Sequence, residues 1–432
     1  RAFAPHCWRG GPANLTIYDE IIAAREALPV LEQSGLSAGL FVGPDWALLD
    51  AELCDQLIEQ HWESPERFAL VFTQAPPGLG GVLLSAPVLE QLAEPQQLAT
   101  LGSILGYIPV KPQADPIAKD HCLKIAQPVQ QFLESMVLDS PAQLARFAGL
   151  LGGAEGASAL VARAAAEPTA PMFAEHLIVE LCTERRTEGP AAVPTRCADG
   201  ERVQRPPLSA ELFDRLLGEL PVENLPVLTL AGVGDPLLHP DCPAFVQRAK
   251  ARGLRVHVQT DLVASEETLQ ALLEAGVDVV SVNLSALRAT TYEQAMGAPL
   301  LREVLTNVEY LRRQQRSLEG LTLPWIVPRL VRCDATYEDL EGFYDKWLLI
   351  FQAALIEPMP SYSPYAAGQR LRPVPTPETV RRAERRRTMY LRCDGGVVNE
   401  PLDLYRPPLA NVLGERPLPE LWRRLREGSA ND

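Results

Sequence analysis

Apolar spacing changes period several times along this chain, and the changes outline its elements. Ala38-Gly-Leu-Phe-Val42 and Phe68-Ala-Leu-Val-Phe72 are short apolar runs of strand length, while Ala51 to Trp62 spaces its apolar residues as one face of a helix. Gln127 to Ala166 is helical and Ala-rich, interrupted by Gly-Gly-Ala-Glu-Gly at 152–156. A second series starts near Glu175. Its strands are predicted at His176-Leu-Ile-Val-Glu180, Val227-Leu-Thr-Leu230, Arg255-Val-His-Val-Gln259, Val277-Asp-Val-Val-Ser-Val282, Leu323-Pro-Trp-Ile-Val327 and Ala353-Ala-Leu-Ile356. Helices are predicted at 209–219, 241–252, 265–275 and 299–315. Six strand-plus-helix units imply an α/β architecture with a parallel sheet, whose ligands sit at the carboxyl ends of its strands. After Tyr365 the Pro-rich stretch Arg372-Pro-Val-Pro-Thr-Pro377 breaks the pattern. The expected divisions are 1–125, a helical connector at 126–171, the second α/β region at 172–370 and a tail at 371–432.

Composition narrows the function classes. With 432 residues, more than one core is expected, and 47% hydrophobic content can fill them. Lys plus Arg number 40 against 55 Asp plus Glu, a net charge of −15, which argues against a nonspecific nucleic-acid binder. The basic run Arg381-Arg-Ala-Glu-Arg-Arg-Arg387 reads as a solvated helical face. No apolar run reaches the roughly 18 residues that span a bilayer, so a soluble, cytoplasmic protein without a membrane partner is expected. The eight cysteines, Cys7, Cys54, Cys122, Cys182, Cys197, Cys242, Cys333 and Cys393, include no CxxC pair. That spacing speaks against a zinc ribbon and a thioredoxin-type redox pair.

The richest stretch chemically is Leu228-Thr-Leu-Ala-Gly-Val-Gly-Asp-Pro-Leu-Leu-His-Pro-Asp241, where strand, glycine turn, acid and proline follow one another. Gly232 and Gly234 remove side chains where backbone would approach a ligand, Asp235 can accept from an ammonium group, and Pro236 fixes the chain leaving the turn.

Residues 172–425 resemble the radical S-adenosylmethionine superfamily, in the form that carries a SPASM-type extension. The turn Ala231-Gly-Val-Gly-Asp-Pro-Leu-Leu-His-Pro240 is similar to that family's second-strand turn, with Asp235 in place of Glu. Gln259-Thr-Asp-Leu262 is similar to its third-strand Thr-Asn-Gly, and Val279-Val-Ser-Val-Asn283 with Thr291-Tyr-Glu-Gln-Ala-Met-Gly297 to its fourth strand and following helix. The resemblance implies a partial (β/α)6 barrel. It also implies a ligand pocket at Gly232, Gly234, Asp235, Pro236, Thr260, Asp261, Ser281 and Asn283, where S-adenosylmethionine is the candidate cofactor. Asp261 stands where the family carries Asn.

The same resemblance implies a CxxxCxxC loop after the first strand, three thiolates holding a [4Fe–4S] cluster with one iron left open. Here Arg185, Gly189 and Ala192 occupy the three positions, and Cys182 and Cys197 lie outside them. The sequence therefore argues against a cluster. In the tail, Thr388-Met-Tyr-Leu-Arg-Cys-Asp-Gly-Gly-Val-Val398 resembles the SPASM hairpin and Leu413-Gly-Glu-Arg-Pro-Leu-Pro-Glu-Leu-Trp422 its closing helix, without the auxiliary cysteines.

The first region resembles a GT-A-like nucleotidyltransferase of the cytidylyltransferase class through Leu40-Phe-Val-Gly-Pro-Asp-Trp-Ala-Leu-Leu-Asp-Ala-Glu-Leu-Cys-Asp-Gln-Leu-Ile58. That resemblance implies Mg2+ held by Asp45 against a nucleotide. Asp50 is as well placed to cap the following helix. Thr73 to Gly81 offers a substrate loop, Asp115 to Asp120 further acids, and Trp8-Arg-Gly-Gly-Pro12 the nearest candidate for a nucleotide loop. The function expected is metal-dependent nucleotidyl or glycosyl transfer in the first domain, fused to a radical-SAM-fold domain without its cluster. The alternatives are a non-catalytic binding scaffold, or a radical enzyme whose cluster cysteines lie in residues outside this sequence. The expected partners are a small-molecule nucleotide or cofactor, with no nucleic acid; a protein partner stays open.

Overall fold

The computed structural model describes residues 22–94, 120–151 except 133, 156–166, 173–196, 200–371 except 223–224, 319–320 and 352, and 381–428 except 382–383 and 415. Trp8 to Pro12, Cys7, Asp115 and Cys197 lie outside the described residues. The chain forms two compact units, 1–169 and 170–432.

In the first unit, α1 (Ala24–Gln33) precedes β1 (Ala38–Phe41), α2 (Ala51–Glu63), β2 (Leu70–Thr73), β3 (Val82–Ser85), α3 (Ala86–Ala93) and β4 (Cys122–Leu123). Among the described residues three helices close the unit: α4 (Gln127–Gln130), α5 (Pro141–Phe147) and α6 (Ala157–Ala166). The strand order is β1-β3-β2-β4; β3 runs antiparallel to both neighbours, and only β2 and β4 pair in parallel. The helix expected at 51–62 forms because Asp50 accepts from Leu53 N at 3.0 Å and buries Leu53, Leu57 and His61 on one face. The GT-A-like expectation is not supported by this small, mainly antiparallel sheet.

The second unit opens with β5 (His176–Val179), α7 (Ala210–Glu219), β6 (Val227–Leu230), α8 (Cys242–Ala251), β7 (Arg255–Thr260), α9 (Glu266–Glu274), β8 (Val279–Asn283), α10 (Ala289–Met296) and α11 (Leu301–Gln314). A hairpin of β9 (Arg316–Leu318) and β10 (Leu321–Leu323) follows, then β11 (Trp325–Arg332), α12 (Leu340–Phe351) and β12 (Leu355–Pro358). The tail adds β13 (Thr388–Leu391), β14 (Gly396–Val398), β15 (Ala410–Asn411) and α13 (Leu418–Gly428). Among the described residues nine strands make one sheet in the order β12-β11-β8-β7-β6-β5-β13-β14-β15. Every pairing from β12 to β13 is parallel, as the strand–helix alternation implies.

The tail does not stand apart as a SPASM-like extension. β13 pairs in parallel with β5 in the register Thr388↔His176 to Leu391↔Val179, and β14 and β15 continue the sheet by antiparallel pairing. It thereby covers an edge that β5 would otherwise expose.

One sheet face carries Leu177, Val179, Leu228, Leu230, Val256, Val258, Val280 and Val282, buried against the helices. α7 shows how the helices answer it. Ser209 caps its start by accepting from Leu212 N at 3.2 Å, and Leu212, Phe213, Leu216 and Leu217 form its buried stripe. Burial of side chains this size stabilises by about 1.5–3 kcal/mol each. The alternate strand positions include the polar residues His176, Thr229, His257, Gln259, Ser281, Asn283 and Arg329. Among the described residues no helix is long and apolar enough to cross a membrane.

Candidate functional site

The carboxyl ends of β5, β6, β7 and β8 meet in a buried polar cluster. Beyond β5 the chain runs alongside the turn after β6: Gly234 N donates to Cys182 O at 3.1 Å and Asp235 N to Glu184 O at 2.8 Å. A Cβ on Gly232 would lie 2.7 Å from the Glu180 Cβ, and one on Gly234 would lie 2.3 Å from the Cys182 carbonyl oxygen. The space that the glycine spacing promised to a ligand is filled by the neighbouring loop of the same chain.

Asp235 turns inward. Its Oδ1 accepts from Leu237 N at 3.0 Å and from Thr260 Oγ1 at 2.7 Å, and its Oδ2 from Asp261 N at 2.8 Å. Pro236 begins the short turn that this carboxylate caps. Burial, with the charge of Asp261 second, pushes the Asp235 carboxyl up to about 6. Asp261 accepts from Thr187 Oγ1 at 2.6 Å, from Asn283 Nδ2 at 2.9 Å and from Arg185 Nη1. The structure thus brings together Gly232, Gly234, Asp235, Pro236, Thr260, Asp261 and Asn283. Ser281 lies one layer deeper, bonded at 2.8 Å to His257 Nε2. Leu262, where the resembled family has Gly, takes a left-handed φ of 59° with its side chain fully buried.

Arg185 is the centre of the cluster. Its Nε donates to Val233 O at 3.0 Å and its Nη2 to Gly234 O at 2.9 Å, and both it and Asp261 have side chains only 1% exposed. Burial opposes its charge, but Asp261 and Asp235 raise its pKa. Beside it, Glu180 takes a fork from Arg205 Nη2 at 2.7 and 2.8 Å and accepts from Val233 N at 2.9 Å. Below the rim a polar row crosses the strands: His176 Nε2 to Thr229 Oγ1 at 2.7 Å, then Thr229 Oγ1 to His257 Nδ1 at 3.1 Å. Burial drives His176 down to about 3 and His257 well below the usual imidazole value, so both rings are neutral. Sequence reading missed Glu180, Arg205, Thr187 and His257. For His257 the signal was a polar residue at an alternate position of an otherwise Val-rich strand, and for Glu180 an acid directly after one; Thr187 and Arg205 lie in loops and carried no such signal.

In the first unit the predicted metal residue Asp45 lies in the turn after β1, where its carbonyl accepts from Leu138 N at 2.9 Å. Asp50 is a helix cap. The 73–81 loop packs structurally, with Pro77 O accepting from Met136 N at 2.8 Å, and Asp120 pairs at the surface with Arg67. Among the described residues no three or more His, Cys, Asp or Glu side chains are gathered so as to hold a metal ion.

The stretch that carries the rim is also the stretch matched by a family model, that of the Radical SAM superfamily, over 182–334. Residues 182–334 form a Radical SAM superfamily domain. No curated protein matches the chain. Among solved structures, Streptococcus suis SuiB bound to its precursor peptide SuiA is similar at 12% identity and a TM-score of 0.47, over 65% of this chain and 74% of that one. BtrN in complex with AdoMet and 2-DOIA is similar at 14% identity and 0.37, over 60% and 86%. Methylornithine synthase, PylB, is similar at 12% identity and 0.36, over 68% and 90%. All three are distant likenesses.

The Radical SAM match corrects the expected function. It places the chemistry-bearing part in the second unit, against nucleotidyl or glycosyl transfer at Asp45 with Mg2+ and a nucleotide, and it aligns that part with a superfamily of enzymes, against a non-catalytic scaffold.

A Radical SAM domain implies S-adenosylmethionine and usually an iron–sulfur cluster, and the loop after β5 does not fit the latter. Arg185 is an ion-paired cation. At Gly189 a Cβ would lie 2.4 Å from Ala295 O, because Glu188 N and Ala191 N donate to Met296 O and Ala295 O and lay the loop on the end of α10. Ala192 is buried. Cys182 donates to Asp235 O at 3.3 Å, and burial raises its thiol to about 11, away from the thiolate that a metal needs. No step through a cluster follows from these residues.

Proposed function

We propose that this chain is an S-adenosylmethionine-using enzyme built on a Radical SAM superfamily domain, with the cofactor at the rim formed by the ends of β5 to β8. The family match over 182–334 carries the reading. In support, the half-buried Gly232 and Gln259 border the rim, where an incoming ligand would meet them first. Gln259 donates to Asn283 Oδ1 at 3.2 Å, and Asn283 donates in turn to Asp261. A ligand hydroxyl or ring nitrogen that engages Gln259 would therefore be tied to the buried acid network. The His176–Thr229–His257–Ser281 row fixes the strands beneath and supplies neutral donors and acceptors rather than charge.

The test is product analysis. The purified full chain is incubated with S-adenosylmethionine without added iron or reductant, and nucleoside products are read by mass spectrometry. Cleavage above a no-protein control is the expected result. S-adenosylmethionine left intact at equimolar protein contradicts the enzymatic reading.

A further inference from the structure

We infer that the Arg185 guanidinium is a built-in organic cation that organises this rim in place of a metal cofactor, so that the ends of β5, β6, β7 and β8 assemble without iron. The inference rests on the proposed function only for the claim that a cofactor belongs at this rim; the cation site itself is seen directly.

The acceptors come first. Three consecutive residues of the turn after β6, Gly232, Val233 and Gly234, aim their carbonyl oxygens at one point, and Asp261 at the end of β7 supplies a carboxylate to the same point. Four acceptors, one of them charged, form a nest for a planar or tetrahedral nitrogen cation. Arg185 fills it with Nε on Val233 O at 3.0 Å and Nη2 on Gly234 O at 2.9 Å, with a longer approach to Gly232 O at 3.5 Å and Nη1 on Asp261. Charge comes second. Asp235 and Asp261 are joined through the Asp261 amide and are 2% and 1% exposed. Two carboxylates this close and this dry are stabilised by a cation beside them, and Arg185 pairs directly with Asp261 while its five-donor fork meets several acceptors at once. The loop comes third. Thr187 Oγ1 reaches Asp261 at 2.6 Å and the next residues lie on the end of α10, so the segment where a cluster loop would stand open is tied down at both ends.

The experiment uses the full chain. Anaerobic reconstitution with ferrous iron and sulfide, followed by metal and sulfide analysis, is expected to leave no stoichiometric iron and no cluster absorption. In parallel, Arg185→Gly empties the nest and is expected to lower Tm by on the order of 10 °C, as loss of one partner of a buried pair does in a unit this large. Low-millimolar guanidinium chloride is expected to restore part of that loss in Arg185→Gly while leaving the wild type unchanged. Arg185→Lys, which keeps the charge without the fork, is expected to fall between the two and serves if the glycine variant does not fold. A stoichiometric cluster in the wild type overturns the inference, and so does an Arg185→Lys or Arg185→Gly protein as stable as wild type. S-adenosylmethionine binding is scored separately: a chain that takes neither iron nor S-adenosylmethionine refutes the proposed function and leaves this inference standing.

Discussion

Arg185 and Asp261 form a buried ion pair that ties the loop after β5 to the end of β7, with each side chain 1% exposed. Neither residue is tolerable alone. Asp261→Asn leaves a desolvated guanidinium without its counter-charge and is expected to cost about 3–5 kcal/mol, whereas Arg185→Met with Asp261→Asn removes both charges and recovers part of the loss. A double-mutant cycle in urea checks this. Additive losses would show that the pair is not coupled.

Asp235 gives the rim a pH signature. Its folded pKa, pushed up to about 6, lies above the unfolded value, so the ionised carboxylate costs stability above that pH. The cost is relieved as pH falls through about 6. His176, held down to about 3, works the other way and loses stability for the fold as pH drops below the ordinary imidazole range. The difference in Tm between wild type and Asp235→Asn isolates the carboxylate. It is expected to move in favour of wild type from about pH 8 to about pH 5; parallel curves would contradict the shift.

Glycine at 234 is required by its neighbour's backbone rather than by its own flexibility. Gly234→Ala would put a Cβ 2.3 Å from the Cys182 oxygen and is expected to destabilise by about 1–3 kcal/mol. Gly218, on the exposed side of α7 with nothing within 4 Å of its Cβ position, is the control. Gly218→Ala is expected to stabilise by about 0.5–1 kcal/mol. Chemical denaturation of the two variants gives both signs; a neutral Gly234→Ala would remove the packing argument.

The tail is expected to be inseparable from the sheet. A chain ended before Thr388 loses β13 from beside β5 and the buried Met389, Leu391, Leu421 and Trp422. It also loses Cys393, whose Sγ donates to Glu180 at 3.2 Å. Expression of the truncated chain should yield aggregate or a much lower Tm. A cooperative transition matching the full chain would show that the tail is an appendage.

Much of the second unit was legible because parallel strands buried on both faces leave near-continuous Val and Leu runs, and Val227 to Leu230 is a strand to the residue. β13 was harder to place, since Thr388 to Leu391 reads as the arm of a hairpin and its pairing with β5 spans over two hundred residues of sequence. The misreading of the first unit had another cause. Asp45 after an apolar strand fits a metal-binding pattern locally, but a metal site needs several acids to converge, and convergence is a tertiary property. At the rim, the motif Gly232-Val-Gly-Asp235 marked the right place. That Arg185 would fill it was hidden because an arginine in a loop ordinarily reads as a solvated charge, and only the approach of Asp261 makes its burial tolerable.

The most direct test of the account is a calorimetric titration of the full chain with S-adenosylmethionine. One saturable site per chain is the predicted result. No saturable heat at concentrations well above that of the protein, from a chain shown to be folded by its thermal transition, would contradict the assignment of this rim as a cofactor site.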